Sequence, residues 1–226
     1  MTLRSHISSS ILSLIISMLI WPAEGKAENK LETAKDSTAL FKGAAVSVDL
    51  VGLGQVWLSD YGQYEAALRI NLKDKYFPIV EMGYGTCDTE DATTSNRYKS
   101  NGVYGRLGCD FNILKNKHDI YRLYIGVRYA YASYKYDVYN PGITDPVWGN
   151  TSEINTTGVK GNTHWYEGLG GIDVKLAGPL RVGWSVRYRG RLAHKEGNIG
   201  EAWYVPGYGR SGSSRIGATF NVTLEL

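Results

Sequence analysis

Hydrophobic and polar residues alternate along residues 180–192, and the same pattern recurs through most of the chain. Trp184 and Tyr188 belong to the apolar, aromatic set of this stretch, whereas Arg181 and Arg187 belong to the polar set. Successive side chains of a β-strand point to opposite faces, while a helix would spread these arginines around its whole circumference. The stretch is therefore predicted to be a β-strand with one apolar face and one arginine-rich face.

The alternation predicts eight strands of this kind. Their approximate bounds are 43–51, 63–72, 77–87, 101–113, 120–136, 162–176, 180–192 and 210–226. Short turns near Asp74, Asn116 and Gly178 alternate with long loops. The long loops are 88–100, 137–161 and 195–209. An even number of strands joined in this way predicts an all-β fold, an eight-stranded antiparallel up-and-down transmembrane β-barrel in which every strand edge is paired.

The alternation alone does not decide which face of the barrel is outside. An apolar face turned inward would make a soluble lipocalin-like carrier. The opposite arrangement is favoured, because the polar face is rich in Gly, Arg, Tyr and carboxylates, as a packed surface is. Aromatic residues near strand ends, typical of membrane interface girdles, favour it as well. These residues are Tyr64, Phe77, Tyr84, Tyr121, Tyr131, Tyr166 and Tyr188.

The charged residues of the polar face are predicted to pair with one another inside the barrel. An eight-stranded barrel is barely wide enough to hold its own inward side chains, and buried charges need partners. The interior should therefore be a packed set of ion pairs, with an anion path along the arginines of the seventh strand as the alternative. The predicted ion-pair network comprises Asp49, Glu65, Arg69, Glu81, Arg106, Asp110, Arg122, Arg128, Glu167, Asp173, Arg181, Arg187, Arg189, Arg191 and Arg215.

The first residues have the features of an export signal. Residues 1–27 join a weakly basic start to an apolar run, 11–21, that is too short to span the roughly 30 Å of membrane hydrocarbon. They are predicted to be a cleaved signal peptide, followed by a polar segment, 28–42, and the barrel, 43–226. We therefore expect a Gram-negative outer-membrane protein that contacts outer-membrane lipid and lipopolysaccharide and is inserted by the barrel-assembly machinery.

The net charge argues against a nucleic-acid-binding protein, and the two cysteines argue against a disulfide-stabilised fold. The formal net charge is +3, and the lysines and arginines alternate with carboxylates, so nucleic acid is not expected as a partner. Cys87 and Cys109 are predicted to stay unpaired, because they fall on opposite faces of their strands and out of register.

Four segments carry a family resemblance. They are 64–74, 108–112 with 117–122, 178–188, and 202–209. In these segments the chain resembles a family of uncharacterised small outer-membrane β-barrel proteins of Bacteroidota, grouped as a domain of unknown function. The resemblance implies a barrel fold and an outer-membrane location, and it implies no activity and no catalytic residue.

Two histidines are the candidate catalytic residues. His164 and His194 are predicted to lie nearly opposite each other at the outer rim, where a histidine with a serine or carboxylate could act as a general base. Both share the parity of the outward residues, while Ser185 and Glu167 point inward, so no Ser–His–acid arrangement is expected. Rim histidines that contact lipid headgroups are therefore the favoured interpretation.

Aromatic and acidic residues in the long loops are candidates for contact with partners. Exposed aromatics on surface loops are typical of binding sites, so Tyr139, Trp148 and Trp203 are candidate contact residues, unless their loops fold onto the barrel mouth. Asp88, Glu90 and Asp91 could bind divalent ions of the outer leaflet, but a solvated acidic loop is the favoured interpretation. No metal and no cofactor are expected. The sequence thus favours a non-enzymatic structural or surface-interaction barrel, with an enzyme that modifies lipid A and a soluble carrier as alternatives.

Overall fold

The computed structural model describes residues 39–91, 95–144, 149, 151–195, 197 and 201–226. The predicted signal peptide, most of the polar segment and Trp148 lie outside these residues. The elements, in chain order, are β1 (Phe41–Asp49), α1 (Leu50–Leu58), β2 (Tyr61–Leu72), β3 (Tyr76–Glu90), β4 (Arg97–Asn112), β5 (Tyr121–Thr144), β6 (Thr151–Ala177), β7 (Leu180–Lys195), β8 (Tyr204–Val205), β9 (Gly209–Arg210) and β10 (Ser214–Glu225).

Eight of the described strands form a closed antiparallel barrel. The hydrogen-bonded order around it is β1-β10-β7-β6-β5-β4-β3-β2, so each strand pairs with its neighbours in the chain and β10 closes the ring on β1. The two-residue strands β8 and β9 pair with each other outside this ring. The predicted all-β, eight-stranded, up-and-down barrel is confirmed.

The apolar face of each strand points outward. Along β5, Arg122, Tyr124 and Arg128 are buried, whereas Ile125 and Val127 are 52% and 60% exposed. The polar side chains of the strands therefore fill the interior, and the apolar side chains cover the outside. A soluble lipocalin-like carrier requires the reverse arrangement. Phe77 departs from the predicted girdle, because it is buried inside the barrel with the Arg122 guanidinium 5.0 Å above its ring.

The strands at the loop end are longer than predicted. Most of the predicted loop 137–161 is an extension of β5 and β6, which pair out to Thr144↔Thr151. The turn signal in this stretch, Pro141 and Gly142, lies in a register shift between Asn140 and Ile143 rather than in a loop. Such an irregularity tolerates proline, because the bulged residue makes no ladder hydrogen bond. The loop 88–100 is likewise shortened, since β3 continues to Glu90 and β4 starts at Arg97.

Helix α1 follows β1; its first two residues fall in the predicted first strand, 43–51, and the sequence pattern assigns no element to the rest of it. Asp49 caps it, since its side chain accepts hydrogen bonds from Val51 N and Gly52 N at 3.1 Å each. Because β1 ends there, residues 61–65 of β2 and 214–220 of β10 pair with a neighbouring strand on one side only. We call these two facing edges the seam.

Helix α1 packs against both strands of the seam. A Cβ added at Gly62 would lie 2.4 Å from Val56 N, and one added at Gly52 would lie 2.7 Å from Gln63 Cγ, so the two glycines set the close approach. Trp57 is 87% exposed at the outer side of the helix. Among the described residues, no helix has the length and apolar character needed to cross a membrane.

Candidate functional site

Seven charged side chains, which we call the central cluster, meet halfway along the interior. They come from six strands, each from an inward-facing position, and all are buried. The members are Glu65, Glu81, Glu167, Arg106, Arg128, Arg187 and Arg189.

Arg106 contacts all three carboxylates of the central cluster. Its Nη1 lies 2.5 Å from Glu65 Oε2 and 3.1 Å from Glu81 Oε2, and its Nε lies 3.0 Å from Glu167 Oε1. Arg187 Nη1 lies 2.7 Å from Glu81 Oε2 and 3.4 Å from Glu167 Oε2. Arg187 Nη2 also lies 3.7 Å from Glu65 Oε1, so each carboxylate has more than one guanidinium within ion-pair distance, which offsets the loss of its hydration.

A second group of ion pairs lies between the central cluster and the short-turn end. Arg69 Nη1 is 2.6 Å from Asp173 Oδ2, and Arg128 Nη1 is 2.7 Å from Asp110 Oδ1. Since Arg128 Nε is also 3.3 Å from Glu81 Oε1, this arginine joins the two groups. Beside these side chains the interior has a cavity of about 10 Å³, about the volume that a single water needs.

The outer mouth of the barrel is filled by residues 202–209, which we call the mouth segment. Tyr204, Val205 and Tyr208 are 3%, 1% and 0% exposed. The central cluster holds the segment by its carbonyl groups, since Arg106 Nη2 donates to Gly207 O at 2.7 Å and Arg189 Nη1 donates to Tyr208 O at 2.9 Å. The same arginines thus neutralise the carboxylates and close the mouth.

The sequence of the mouth segment fits this close packing. Gly207 has φ +77°, and a Cβ there would lie 2.6 Å from the ring of Tyr104. Pro206 packs against Gly85, where a Cβ would lie 2.9 Å from the proline ring. Larger residues at either glycine would push the segment out of the barrel.

The short-turn end of the barrel is an open cup of about 410 Å³. Asp74 lies at its wall, with Lys42 Nζ at 2.9 Å, His118 Nδ1 at 2.7 Å and Arg122 Nη2 at 3.6 Å. Burial alone would raise the pKa of Asp74, but hydrogen bonds from Asn71, Lys42 and His118 outweigh it and lower the pKa to about 2.

Five members of the predicted network, four arginines and Asp49, lie away from the two groups of ion pairs. Arg122 and Arg181 line the cup, where both face Glu225. Arg191 and Arg215 lie at the opposite rim, because β7 and β10 extend past the buried section there. Arg191 Nη1 is 3.1 Å from Glu201 Oε2, and Arg215 donates to backbone carbonyls of residues 210 and 211.

Asp49 is buried and serves as the cap of helix α1, where it also accepts a hydrogen bond from Phe220 N at 3.3 Å. No arginine lies within ion-pair distance of it among the described residues.

The two candidate histidines do not meet. His164 lies against Tyr131, with ring centroids 4.7 Å apart, and its Nδ1 is 2.6 Å from Tyr129 Oη. His194 Nε2 is 3.5 Å from Glu201 Oε1. The prediction that both share the outward parity is wrong for His194, because a bulge shifts the register and pairs it with the inward-facing Thr163.

The candidate contact residues of the loops differ in exposure. Tyr139 is 40% exposed on β5. Trp203 is half-buried, stacked at 6.3 Å on Tyr98, with the Arg210 guanidinium 4.8 Å from its ring. The loop that carries Trp203 therefore folds onto the barrel mouth, which is the alternative that the sequence left open.

Asp88, one of the acidic candidates near the end of β3, pairs with two cations. Asp88 Oδ1 lies 2.9 Å from Arg97 Nε, and Asp88 Oδ2 lies 3.2 Å from Lys99 Nζ. In the part of the chain that the structure describes, no group of three metal-ligating side chains is close enough to hold an ion. Cys87 and Cys109 are both free.

Comparison with known proteins identifies a family and several folds of the same kind. The model of one family, a domain of unknown function (DUF6048), matches residues 5–226. No curated protein matches the sequence. Three solved structures are similar to the chain over most of their length. CarO2 of Acinetobacter baumannii is 16% identical with a TM-score of 0.44, and the match covers 84% of this chain and 100% of that one. A major outer membrane protein from Thermus thermophilus is 13% identical with a TM-score of 0.44, and the match covers 83% of this chain and 100% of that one. Neisserial surface protein A is 10% identical with a TM-score of 0.42, and the match covers 83% of this chain and 98% of that one.

Proposed function

The chain belongs to the DUF6048 family, whose function is unknown, and we propose that it is a sealed β-barrel of the bacterial outer membrane with a structural or surface-interaction role. The proposal has three parts, which are the membrane location, the closed interior and the contact surface at the loop end. The outward face of the barrel is the observation that carries it.

The outward face is an uncharged apolar belt. Met82, Leu107, Val127 and Val186 are 69%, 64%, 60% and 59% exposed. The belt extends along β5 from Tyr121 to Tyr131, and about ten residues at about 3.3 Å rise, tilted by about 40°, span roughly 25 Å. A surface of this kind is far larger than the apolar patches of soluble proteins, so lipid is its natural solvent.

The packed interior supports a role other than transport. The central cluster occupies the middle of the barrel and the mouth segment occupies its outer end. Opening a path for solutes would require breaking several buried ion pairs together, and each broken pair leaves an uncompensated charge.

The contacts of the candidate catalytic groups support a non-enzymatic role. Ser185 Oγ lies 2.7 Å from Thr219 Oγ1 inside the barrel, far along the strand from either candidate histidine. Among the described residues, no serine lies within hydrogen-bond distance of His164 or His194. His194 does have a carboxylate partner, Glu201, at 3.5 Å, but a Ser–His–acid enzyme would also need a serine beside the histidine.

The loop end supports a contact surface. The β5–β6 hairpin continues past the last pairing of β4 with β5, Arg97↔Tyr139, to Thr144↔Thr151. A groove of about 420 Å³ runs beside it, lined by Glu90, Arg97, Tyr139 and neighbouring polar residues. Protruding hairpins on a rigid barrel are suitable for recognition, because the scaffold fixes their position.

The first experiment is membrane fractionation, combined with gel mobility before and after boiling. We expect the protein in the outer-membrane fraction, with a mobility that changes on heating because a closed barrel resists detergent until it is boiled. A water-soluble protein without a mobility change would refute the membrane location. Lipid A mass spectra of a deletion strain test the role, and a changed lipid A profile would favour the enzyme instead.

A further inference from the structure

The cup at the short-turn end is assembled from five separate parts of the chain. They are the start of β1, the β2–β3 turn and the strand residues beside it, and the β4–β5 turn with the start of β5. The end of β10 also contributes, and Lys175 and Arg181, on either side of the β6–β7 turn, make a further part. Their side chains enclose about 410 Å³, and Arg69 and Phe77 lie at the floor. A space of this size is typical of pockets for small ligands.

Cations outnumber carboxylates around the cup. Arg69 is already neutralised from below, where its guanidinium contacts Asp173 and Asp110. The other permanently charged cations that line the cup are Lys42, Lys117, Arg122, Lys175 and Arg181. The carboxylate side chains that line it are Asp74, Asp119 and Glu225. The side chains therefore leave an excess of positive charge in a partly enclosed space.

The excess is concentrated around Glu225. Arg122 Nη1 lies 2.8 Å from Glu225 Oε1, Arg181 Nη1 lies 3.7 Å from the same oxygen, and Lys175 Nζ lies 4.0 Å from Oε2. Three cations thus share one carboxylate.

Arg181 is the least satisfied of these cations. Its side chain is only 3% exposed, and its Nε, like the Nε of Arg122, has no hydrogen-bond partner among the described residues. Its Nη2 donates to the backbone oxygen of Ile120 at 2.9 Å, which carries no full charge. The nearest carboxylate oxygen to Arg181, Glu225 Oε1, is 3.7 Å away and is shared with Arg122. An anion that completes the surroundings of this buried guanidinium would therefore offset the cost of its burial.

We propose that the cup is a binding site for a small polyvalent oxyanion of the phosphate or carboxylate type, held by Arg181, Arg122 and Lys175. Guanidinium groups match the planar pairs of oxygens in both kinds of anion, and the lysine adds a mobile point charge. The site lies at the end opposite the mouth segment, and its chemistry does not depend on the proposed surface role.

The test uses the full-length barrel folded in detergent, titrated calorimetrically with pyrophosphate and with citrate at constant ionic strength. We expect saturable binding of at least one of the two anions at one site. Arg181→Gln should weaken the binding at least tenfold, and Lys175→Gln should weaken it several-fold. Lys195→Gln is the matched control, because Lys195 is an exposed cation at the other end of β7.

Heat-dependent gel mobility of each variant establishes that it is folded. If Arg181→Gln does not fold, Lys175→Gln carries the test, since the Lys175 side chain is 43% exposed and is not needed for packing. The proposal is overturned if neither anion binds, or if the cup variants bind as tightly as Lys195→Gln. Phosphate preference would assign a phosphorylated ligand, and citrate preference a polycarboxylate.

Discussion

Glu81 lies where three guanidinium groups converge. Arg106, Arg128 and Arg187 all have a nitrogen within 3.3 Å of its carboxylate, and Glu81 is 1% exposed. Glu81→Ala should lower the free energy of unfolding by about 3–5 kcal/mol, because it leaves buried positive charge unpaired. Urea unfolding in lipid vesicles measures the change.

Glu201→Ala is the control for that substitution. The Glu201 side chain is 46% exposed at the rim and pairs with Arg191, so its loss should change stability by about 1 kcal/mol or less. Equal stability of wild type and Glu81→Ala would contradict a packed, ion-paired interior.

Asp74 is expected to make the stability of the folded protein depend on pH, through its contacts at the short-turn end. Its pKa is about 2 in the folded protein, against an ordinary value of 3.8. A lowered carboxyl pKa adds stability that is fully present above 3.8 and is lost as the pH falls toward 2. Wild type should therefore lose more stability than Asp74→Asn between pH 4 and pH 2, as unfolding midpoints in a pH series would show. Parallel curves for the two proteins would count against this assignment.

At the scale of elements, Gly62 of β2 and Gly54 of α1 offer a matched pair of substitutions. A Cβ at Gly62 would meet the helix backbone at 2.4 Å, whereas one at Gly54 meets nothing within 4 Å. Gly62→Ala should displace α1 from the seam and destabilise the barrel by about 1–3 kcal/mol. Gly54→Ala should be neutral or stabilising by up to about 1 kcal/mol, because alanine favours a helix. Equal unfolding free energies for the two variants would show that α1 does not pack on β2.

The sequence predicted the strands better than it predicted α1 and the mouth segment. Alternation along β5 and β7 is strong because one face of each strand is apolar and exposed, whereas the other is polar and buried inside the barrel. Helix α1, LVGLGQVWL, is apolar on all sides and carries two glycines, so it has no helical periodicity to detect. Its cap, Asp49, continues the alternation of β1 and was assigned to the interior network for that reason.

The mouth segment could have been suspected from its composition. Residues 202–208 are almost entirely apolar, aromatic, proline or glycine, which is unusual for a solvated loop. What the pattern could not supply was the position of the segment relative to Arg106 and Arg189, which depends on the closure of the whole barrel.

At the scale of the whole molecule, the closed and packed barrel is predicted not to conduct ions. Because the central cluster and the mouth segment fill the interior, the folded protein should show no steady single-channel conductance in planar lipid bilayers. A sixteen-stranded porin, whose wider barrel leaves an aqueous channel, is the positive control. Steady, anion-selective steps from the purified protein would instead support the path along the arginines of β7.

The short ladder between β1 and β10, next to the seam, determines where the barrel opens first. The ladder that closes the ring, between β1 and β10, runs only from Ala45↔Glu225 to Asp49↔Asn221, whereas β10 pairs with β7 from Ser214 to Leu224. A force that pulls the two chain ends apart would therefore separate β1 from β10 before it separates β10 from β7. The amide protons of the β1–β10 ladder should accordingly exchange with solvent sooner than those of the β7–β10 ladder. The early end of β1 at Asp49 thus determines which interface between strands of the barrel is the weakest.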